Sequence, residues 1–447
     1  REVGLEQIAE RGGCIYRAVS SRPWPGDASL EVAHVWQQAG EWEGDYHLDD
    51  ETVSGVSPFL TIPGKIVGKP FRLAANTDKS FQGSIVLGMG FVLTEKEAKE
   101  LIAENPKNAE CLFPYLNGED LNTRPDQSPS RWVINFRNWP LNRTAEGCWL
   151  AADEAKRKTW LREGIVPRDY SEPVVVDYPD LLAIIEEKVK PERQKLKDDG
   201  GIQSRRKKFW WQYGASAPTL YATISEMEKV LVIARTSRTL AFAFMKSRTI
   251  FSDATNVIAS GDARYFAILQ SVFHESWARD YSSSLKGDLR YSPSDCFENF
   301  TFPKSMDTLE NIGEVYYEHR YNIMQHHQEG LTQTYNRFHN INETSEDISH
   351  LRGLHMEMDN AVATAYGWTN LDLCHGFHKT KHGIRFTISE QARRIILDLL
   401  LALNHERYEE EVKAGLHDKK TAKGSGKGRK KKSPPDKKED QYEIFEE

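Results

Sequence analysis

The rhythm of apolar and polar positions changes along the 447 residues. Residues 5–9 close a short helix, Gly12-Gly13 make a turn, and residues 14–19 and 30–36 read as strands around a rigid Arg22-Pro23-Trp24-Pro25-Gly26 loop. Two strands and one helix do not bury a core alone, so this start packs on the residues after it or on absent partners. From residue 42 to 303 the pattern is mixed. β-type runs recur at 85–87, 132–136, 230–234 and 240–245, and the last two flank Arg235-Thr236-Ser237-Arg238-Thr239 as a hairpin with a polar tip. Residues 180–197 space Leu181, Ile184, Ile185 and Val189 as a helix that Pro191 kinks or breaks. Residues 265–281 put Phe266, Leu269, Phe273 and Trp277 on one helical face. After Met306 the pattern is helical: Leu354, Met358, Ala361, Val362 and Ala365 share a face. Thr387-Ile388-Ser389-Glu390 reads as a capping box before Ala392, Ile395, Ile396, Leu399 and Leu403. Beyond residue 417 a Lys/Gly/Ser/Pro tail has nothing to bury and is expected to be disordered.

Composition narrows the class. The length suggests two to four domains, and 39% apolar with 11% aromatic residues excludes global disorder. The net charge of −7 is uneven: residues 418–447 hold ten basic and seven acidic groups, leaving the first 417 at −10. An anionic partner must therefore meet a local patch rather than a basic body. No apolar run approaches a bilayer span and no secretory signal opens the chain, so no membrane partner is expected. Five scattered cysteines without a CxxC pair fit reduced thiols and a cytoplasmic setting. The sequence starts with Arg1, and its first residues read as the middle of a domain.

Most catalytic signals fail on chemical grounds. Gly88-Met89-Gly90 follows a β-type run, but Phe91-Val92-Leu93 continues as strand where a nucleotide loop needs a helix, so a kinked strand is expected. Ser433-Pro434-Pro435-Asp436 has Asp where a methylation loop needs an aromatic residue. Eleven of fourteen histidines come after residue 318, yet Cys374-His375, His378 and His382 show no standard zinc spacing. They read as solvated or capping groups, and His355 with Glu357 and Asp359 as helix surface. No metal site and no catalytic residue is expected.

The basic and aromatic runs say more. Arg205-Arg206-Lys207-Lys208 adjoin Phe209-Trp210-Trp211-Gln212-Tyr213; Arg235, Ser237 and Arg238 crown the hairpin; Arg279, Ser282, Ser283, Ser284, Lys286, Arg290 and Tyr291 come after a helix. Cations meet phosphates, aromatic rings stack or pack, and guanidinium groups match guanine edges. A solvated basic surface over a Trp core explains each run alone. Three within about ninety residues of an acidic body point to a DNA-facing surface. The expected DNA-binding residues are Arg205, Arg206, Lys207, Lys208, Trp211, Arg235, Ser237, Arg238, Arg279, Ser283, Lys286, Arg290 and Tyr291.

Residues 208–213, 230–235 and 240–242 resemble the target-recognition region of large bacterial adenine-specific DNA methyltransferases of the type IIG/IIL restriction–modification and related phage-defence kind. Residues 111–121 are similar to the start of that region and 289–303 to its end, while 330–339 and 365–368 resemble the family's C-terminal helical part. The resemblance implies an α+β fold. Residues 1–40 would be a remnant of a class I methyltransferase sheet, 41–305 a mixed α/β target-recognition domain, 306–417 a helical domain and 418–447 the basic tail. It implies double-stranded DNA as partner, and a complete enzyme that uses S-adenosylmethionine to methylate the amino group of a flipped adenine. The family's Gly-rich cofactor loop and Asn-Pro-Pro-aromatic loop do not occur in the sequence, so no cofactor is expected on this chain alone. It is expected to serve as a truncated enzyme or beside a catalytic methyltransferase chain or other defence-system subunits. A stand-alone DNA-specificity subunit, or an interaction protein without nucleic acid, are the competing readings.

Overall fold

The apolar run Val230 to Ala234 is buried at every position, as the centre of a sheet covered on both faces requires. In the computed structural model, which describes residues 4–24, 31–58, 60, 68–198, 200–285 and 288–417, it forms β9 (Lys229–Ala234). Its neighbours are β11 (Phe242–Lys246) and β13 (Thr255–Ile258), with β5 (Ser80–Gln82) at the far edge, and every pairing is antiparallel. The predicted hairpin is thus the β9–β11 pair, with Phe242 opposite Ile233.

Helices cover this sheet. The predicted helix over 265–281 is two, α9 (Ala263–Gln270) and α10 (Val272–Tyr281), broken at the extended Ser271; its four face residues are all fully buried. Outside them lie α11 (Glu310–His327), α12 (Leu331–Phe338), α13 (Glu346–Ala365) and α14 (Glu390–Lys413). One apolar cluster joins Leu116 to Leu401, so sheet and C-terminal helices share a core across residue 305. Ser389, rather than Thr387, caps α14 by accepting the Ala392 N–H, because residues 383–387 are a strand.

A second core surrounds β12 (Ile250–Phe251), β7 (Leu112–Leu116), β8 (Arg131–Ile134) and β6 (Val92–Thr94), in that order across the sheet. α2 (Glu95–Glu104) and α5 (Pro179–Lys188) pack there, and the break expected at Pro191 falls at Val189, before α6 (Lys190–Gln194). Short helices α3 (Gly118–Thr123), α4 (Glu154–Glu163), α7 (Ile202–Lys208) and α8 (Pro218–Thr223) connect the layers. The expected kinked strand at 85–90 is corrected. Ile85 makes one isolated bridge to Ala215, Leu87 and Gly88 take positive φ, and a 3-10 turn over Met89–Phe91 leads into β6. The chain start is α1 (Leu5–Glu10) and a four-stranded sheet of β1 (Gly13–Pro23), β2 (Glu31–Ala39), β3 (Tyr46–Leu48) and β4 (Glu51–Val53), on its own small cluster. The tail expectation falls on residues 418–447, outside the described residues.

His274 on α10 makes the core acid-sensitive. It is fully buried with Nε2 3.0 Å from the Tyr291 hydroxyl, and burial holds the imidazole down at about 3, against a smaller upward pull from Glu275. The folded ring therefore stays neutral while the unfolded ring protonates below about pH 6.5. The His274 contribution to stability is full above that pH and falls by about 1.4 kcal/mol per unit as acid is added, until the folded value is reached. Urea unfolding at pH 7.5 and 5.5 should show this slope in the parent chain and a shallower one in His274→Gln; equal slopes would refute the assignment.

Candidate nucleic-acid interface

After β9 the chain does not turn straight back. Arg235 donates its backbone N–H to Ala254 at 2.8 Å, and β10 (Thr236–Ser237) then pairs with β15 (Asp288–Arg290), Thr236 opposite Arg290. β15 pairs in turn with β14 (Ser283–Leu285). The polar tip is therefore the edge of a three-stranded sheet, and two of the three predicted basic runs are brought together on it.

Each cation there has a different hold. Arg279, at the end of α10, donates to Glu275 at 2.8 Å and to the Arg238 carbonyl at 2.9 Å, stapling the tip to the helix. Arg238 keeps a 67% exposed side chain, with Asp288 at 3.7 Å. Arg235 is half-buried and lies 3.9 Å from an Asp253 carboxylate oxygen. Arg290 is exposed. Ser237 Oγ accepts the Thr239 N–H and shapes the turn. Ser283 is placed by its β14 pairing opposite Arg290; Lys286 lies outside the described residues.

Two expected contacts are corrected by burial. Tyr291 is 0% exposed, its hydroxyl beside His274 and its carbonyl accepting from Asn256. It anchors the end of β15 in the core. Trp211 is 3% exposed and donates its indole N–H to the Trp139 carbonyl, in the core around β8. A ring with that much apolar area gains more from burial than from a solvent-facing post.

The third basic run stands apart, on α7 against the second core. Arg205 and Lys208 are exposed, Arg206 and Lys207 half-buried, and Lys208 reaches the Arg162 carbonyl at 3.4 Å. Arg205, Lys207 and Lys208 border an open cleft of about 730 Å³ that also carries Glu163 and Asp198.

The histidine expectations change as well. His355 and Asp359 are buried rather than helix surface, and His375 is not solvated: its Nε2 lies 2.8 Å from Asp359 Oδ2. Among the described residues no three His, Cys, Asp or Glu groups could hold a metal ion, and no helix is long and apolar enough to cross a membrane. The Gly88-Met89-Gly90 turn opens no helix, and a Cβ on Gly90 would sit 2.5 Å from Lys188 Cβ. That glycine serves close packing against the end of α5; the turn does not fit a nucleotide cofactor.

One basic element is not among the sequence expectations. β16 (Gly376–Thr380) and β17 (Gly383–Thr387) form a hairpin inside the helical region, carrying Lys379, Lys381 and Arg385. Its signal is Lys381-His382-Gly383 between Phe377 and the alternating Ile384 and Phe386, a turn obscured by the histidines around it.

Residues 187–304 match the family model described as MmeI, target recognition domain. That stretch contains α7, the central strands β9, β11 and β13, and the three-stranded edge, and the resemblance read from residues 208–303 is shown on it. A solved structure with a similar fold is that of MmeI, a type IIL restriction–modification enzyme, in complex with DNA. The similarity covers 90% of this chain at 16% identity, with a TM-score of 0.61. The chain spans about half, 47%, of that protein. No curated protein matches the sequence.

Proposed function

We propose that the chain is the DNA sequence-reading part of a restriction–modification enzyme. The observation that carries this reading is the β10–β15–β14 edge, which gathers Arg290 on β15 with Arg235 and Arg238 at either end of β10, within the stretch matching a target recognition domain. A narrow β-ribbon enters the major groove, and arginine forks pair with guanine O6 and N7 there. Arg279 positions the tip, while Lys286 and the α7 cations Arg205, Arg206, Lys207 and Lys208 contact phosphates, which fix register without reading bases.

In the finer reading, the complete enzyme methylates adenine N6 with S-adenosylmethionine in a cytoplasmic restriction or phage-defence setting. The ordered sequence runs resembling that family support it. The methyl-transfer chemistry then lies outside these residues, in the same polypeptide or on a catalytic partner chain. Methyl transfer from labelled S-adenosylmethionine by this chain alone would overturn that division.

Selection from a random duplex library tests the main reading. The parent chain should enrich one motif, with affinity falling steeply as salt rises. Arg235→Ala and Arg238→Ala should each relax the motif at one or two positions, by about 1–3 kcal/mol of discrimination, or roughly 5- to 150-fold. Binding that is weak and flat across salt, with no motif enriched, would end the proposal.

A further inference from the structure

The β16–β17 hairpin lies beyond the matched recognition stretch, yet α14, the helix that follows it, is tied by an Arg393–Asp280 ion pair to the end of α10 beside Arg279. Its ladder runs without a break from Gly376 opposite Thr387 to Thr380 opposite Gly383, leaving Lys381-His382 as a two-residue tip. Thr380 Oγ1 donates to the Gly383 carbonyl and accepts the His382 N–H, and Gly383, just after the tip, takes φ +89, a left-handed conformation that glycine adopts without strain. Phe377 and Phe386 pack edge to face at the root, where the Arg352 guanidinium lies 5.0 and 5.6 Å from their rings and Phe338 abuts Phe386. The hairpin is thus braced at its root against the helical layer.

The far side of the hairpin continues through Ile388-Ser389 into α14, whose Arg393 pairs with Asp280 at 3.4 Å, one residue beyond Arg279. Arg385 consequently feels the Arg279 and Arg238 charges, which add to burial in holding its guanidinium below the usual range. Lys381 is held down by desolvation and then by Arg279 and Arg393. Acidic groups answer only in part: Asp280 and Asp49 oppose the shift at Lys381, Glu275 opposes it at Arg385, and Glu51 lies 3.8 Å from the 86% exposed Lys379. Like charges gathered this way repel one another unless a polyanion covers them.

We propose that residues 376–387 are a phosphate-gripping arm that extends the recognition edge onto the C-terminal helices and holds the backbone of the same duplex. This rests on the DNA-reading function proposed above. Continuity with Arg238 and Arg279 favours DNA over an acidic protein. Exposed lysines on a rigid ladder suit phosphates as point charges and carry no fork for reading bases.

The test is duplex binding by the full chain over a salt series, comparing the parent, Lys379→Ala/Lys381→Ala and Arg238→Ala. If two phosphate contacts are lost, the double variant should weaken binding roughly 10- to 60-fold near 0.1 M salt. The slope of log affinity against log salt should become shallower by about 2, with the enriched motif unchanged. Lys379→Arg/Lys381→Arg should bind like the parent, and unchanged thermal melting would exclude a folding effect. If the parent binds and Arg238→Ala relaxes the motif while the double variant keeps parental affinity and slope, the arm is refuted and the recognition reading stands. If the parent shows no salt-dependent binding, both fall together.

Discussion

Arg320→Ala should destabilise the chain by about 3–5 kcal/mol, the range expected when a fully buried, multiply bonded group is deleted. Arg320 projects from α11, is 1% exposed, and has no carboxylate among its hydrogen-bond partners. Its guanidinium donates instead to the Phe242 carbonyl, Gln270 Oε1 and the Tyr335 hydroxyl. Phe266, Tyr316, Tyr317 and Tyr335 surround it with ring faces within about 6 Å, a cage that tolerates the charge. The reason for this arrangement is the open side of β11, an edge strand whose backbone groups need partners. Gln270 accepts the Phe242 N–H and donates to the Leu240 carbonyl, while Arg320 satisfies the Phe242 carbonyl. Together they fix the strand just after the basic tip. The measurement is guanidinium unfolding. Arg320→Met should recover part of the loss by filling volume, but not the orphaned carbonyl. A loss under about 1 kcal/mol for Arg320→Ala would show that water replaces the network.

The elements that could be read from the sequence were those whose own period or composition dictates them. Residues 230–234 are apolar without interruption, so β9 was visible; Pro191 has no backbone N–H to give, so a break was visible. What depends on distant partners was not. Nothing within residues 235–239 announces pairing with 288–290, fifty residues later, so a plain turn was expected where a sheet edge stands. The basic character of that edge was legible because a cation is a cation wherever the chain folds. Whether an aromatic ring beside them faces solvent was not: Trp211 and Tyr291 have the composition of stacking residues and the burial of core ones. His355 and Asp359 failed for the same reason, since helical spacing places them on one face without saying that another helix covers it. The β16–β17 hairpin was hidden because its strands are short and flanked by strongly helical pattern.

Asp359→Ala should cost about 2–4 kcal/mol and loosen two elements at once. Asp359 on α13 is 0% exposed, and its Oδ1 accepts the N–H of Val272, the first residue of α10, at 2.9 Å. The N-cap Ser271 provides no side-chain cap, so a carboxylate from another helix does that work, on the end of α10 where the dipole favours an anion. Oδ2 meets His375 Nε2 at 2.8 Å and His355 Nε2 at 3.5 Å, and His375 immediately precedes β16. One side chain thus ties the start of α10, whose far end holds Arg279 beside the β10–β15–β14 edge, to the base of the basic hairpin. Removing it orphans the Val272 N–H and the His375 ring together, each a buried polar group that costs about 1–3 kcal/mol unpaired. Asp359→Asn is expected to lose about half as much, because its carbonyl oxygen still accepts from Val272 while its amide presents a donor to the histidines. Hydrogen exchange is the discriminating measurement. Protection should fall at the first turn of α10 and along residues 376–387 in the Ala variant, with β9 and β13 unaffected. Loss confined to α10 would mean that the hairpin is seated by its Phe377 and Phe386 contacts alone, and that the edge and the arm are positioned independently.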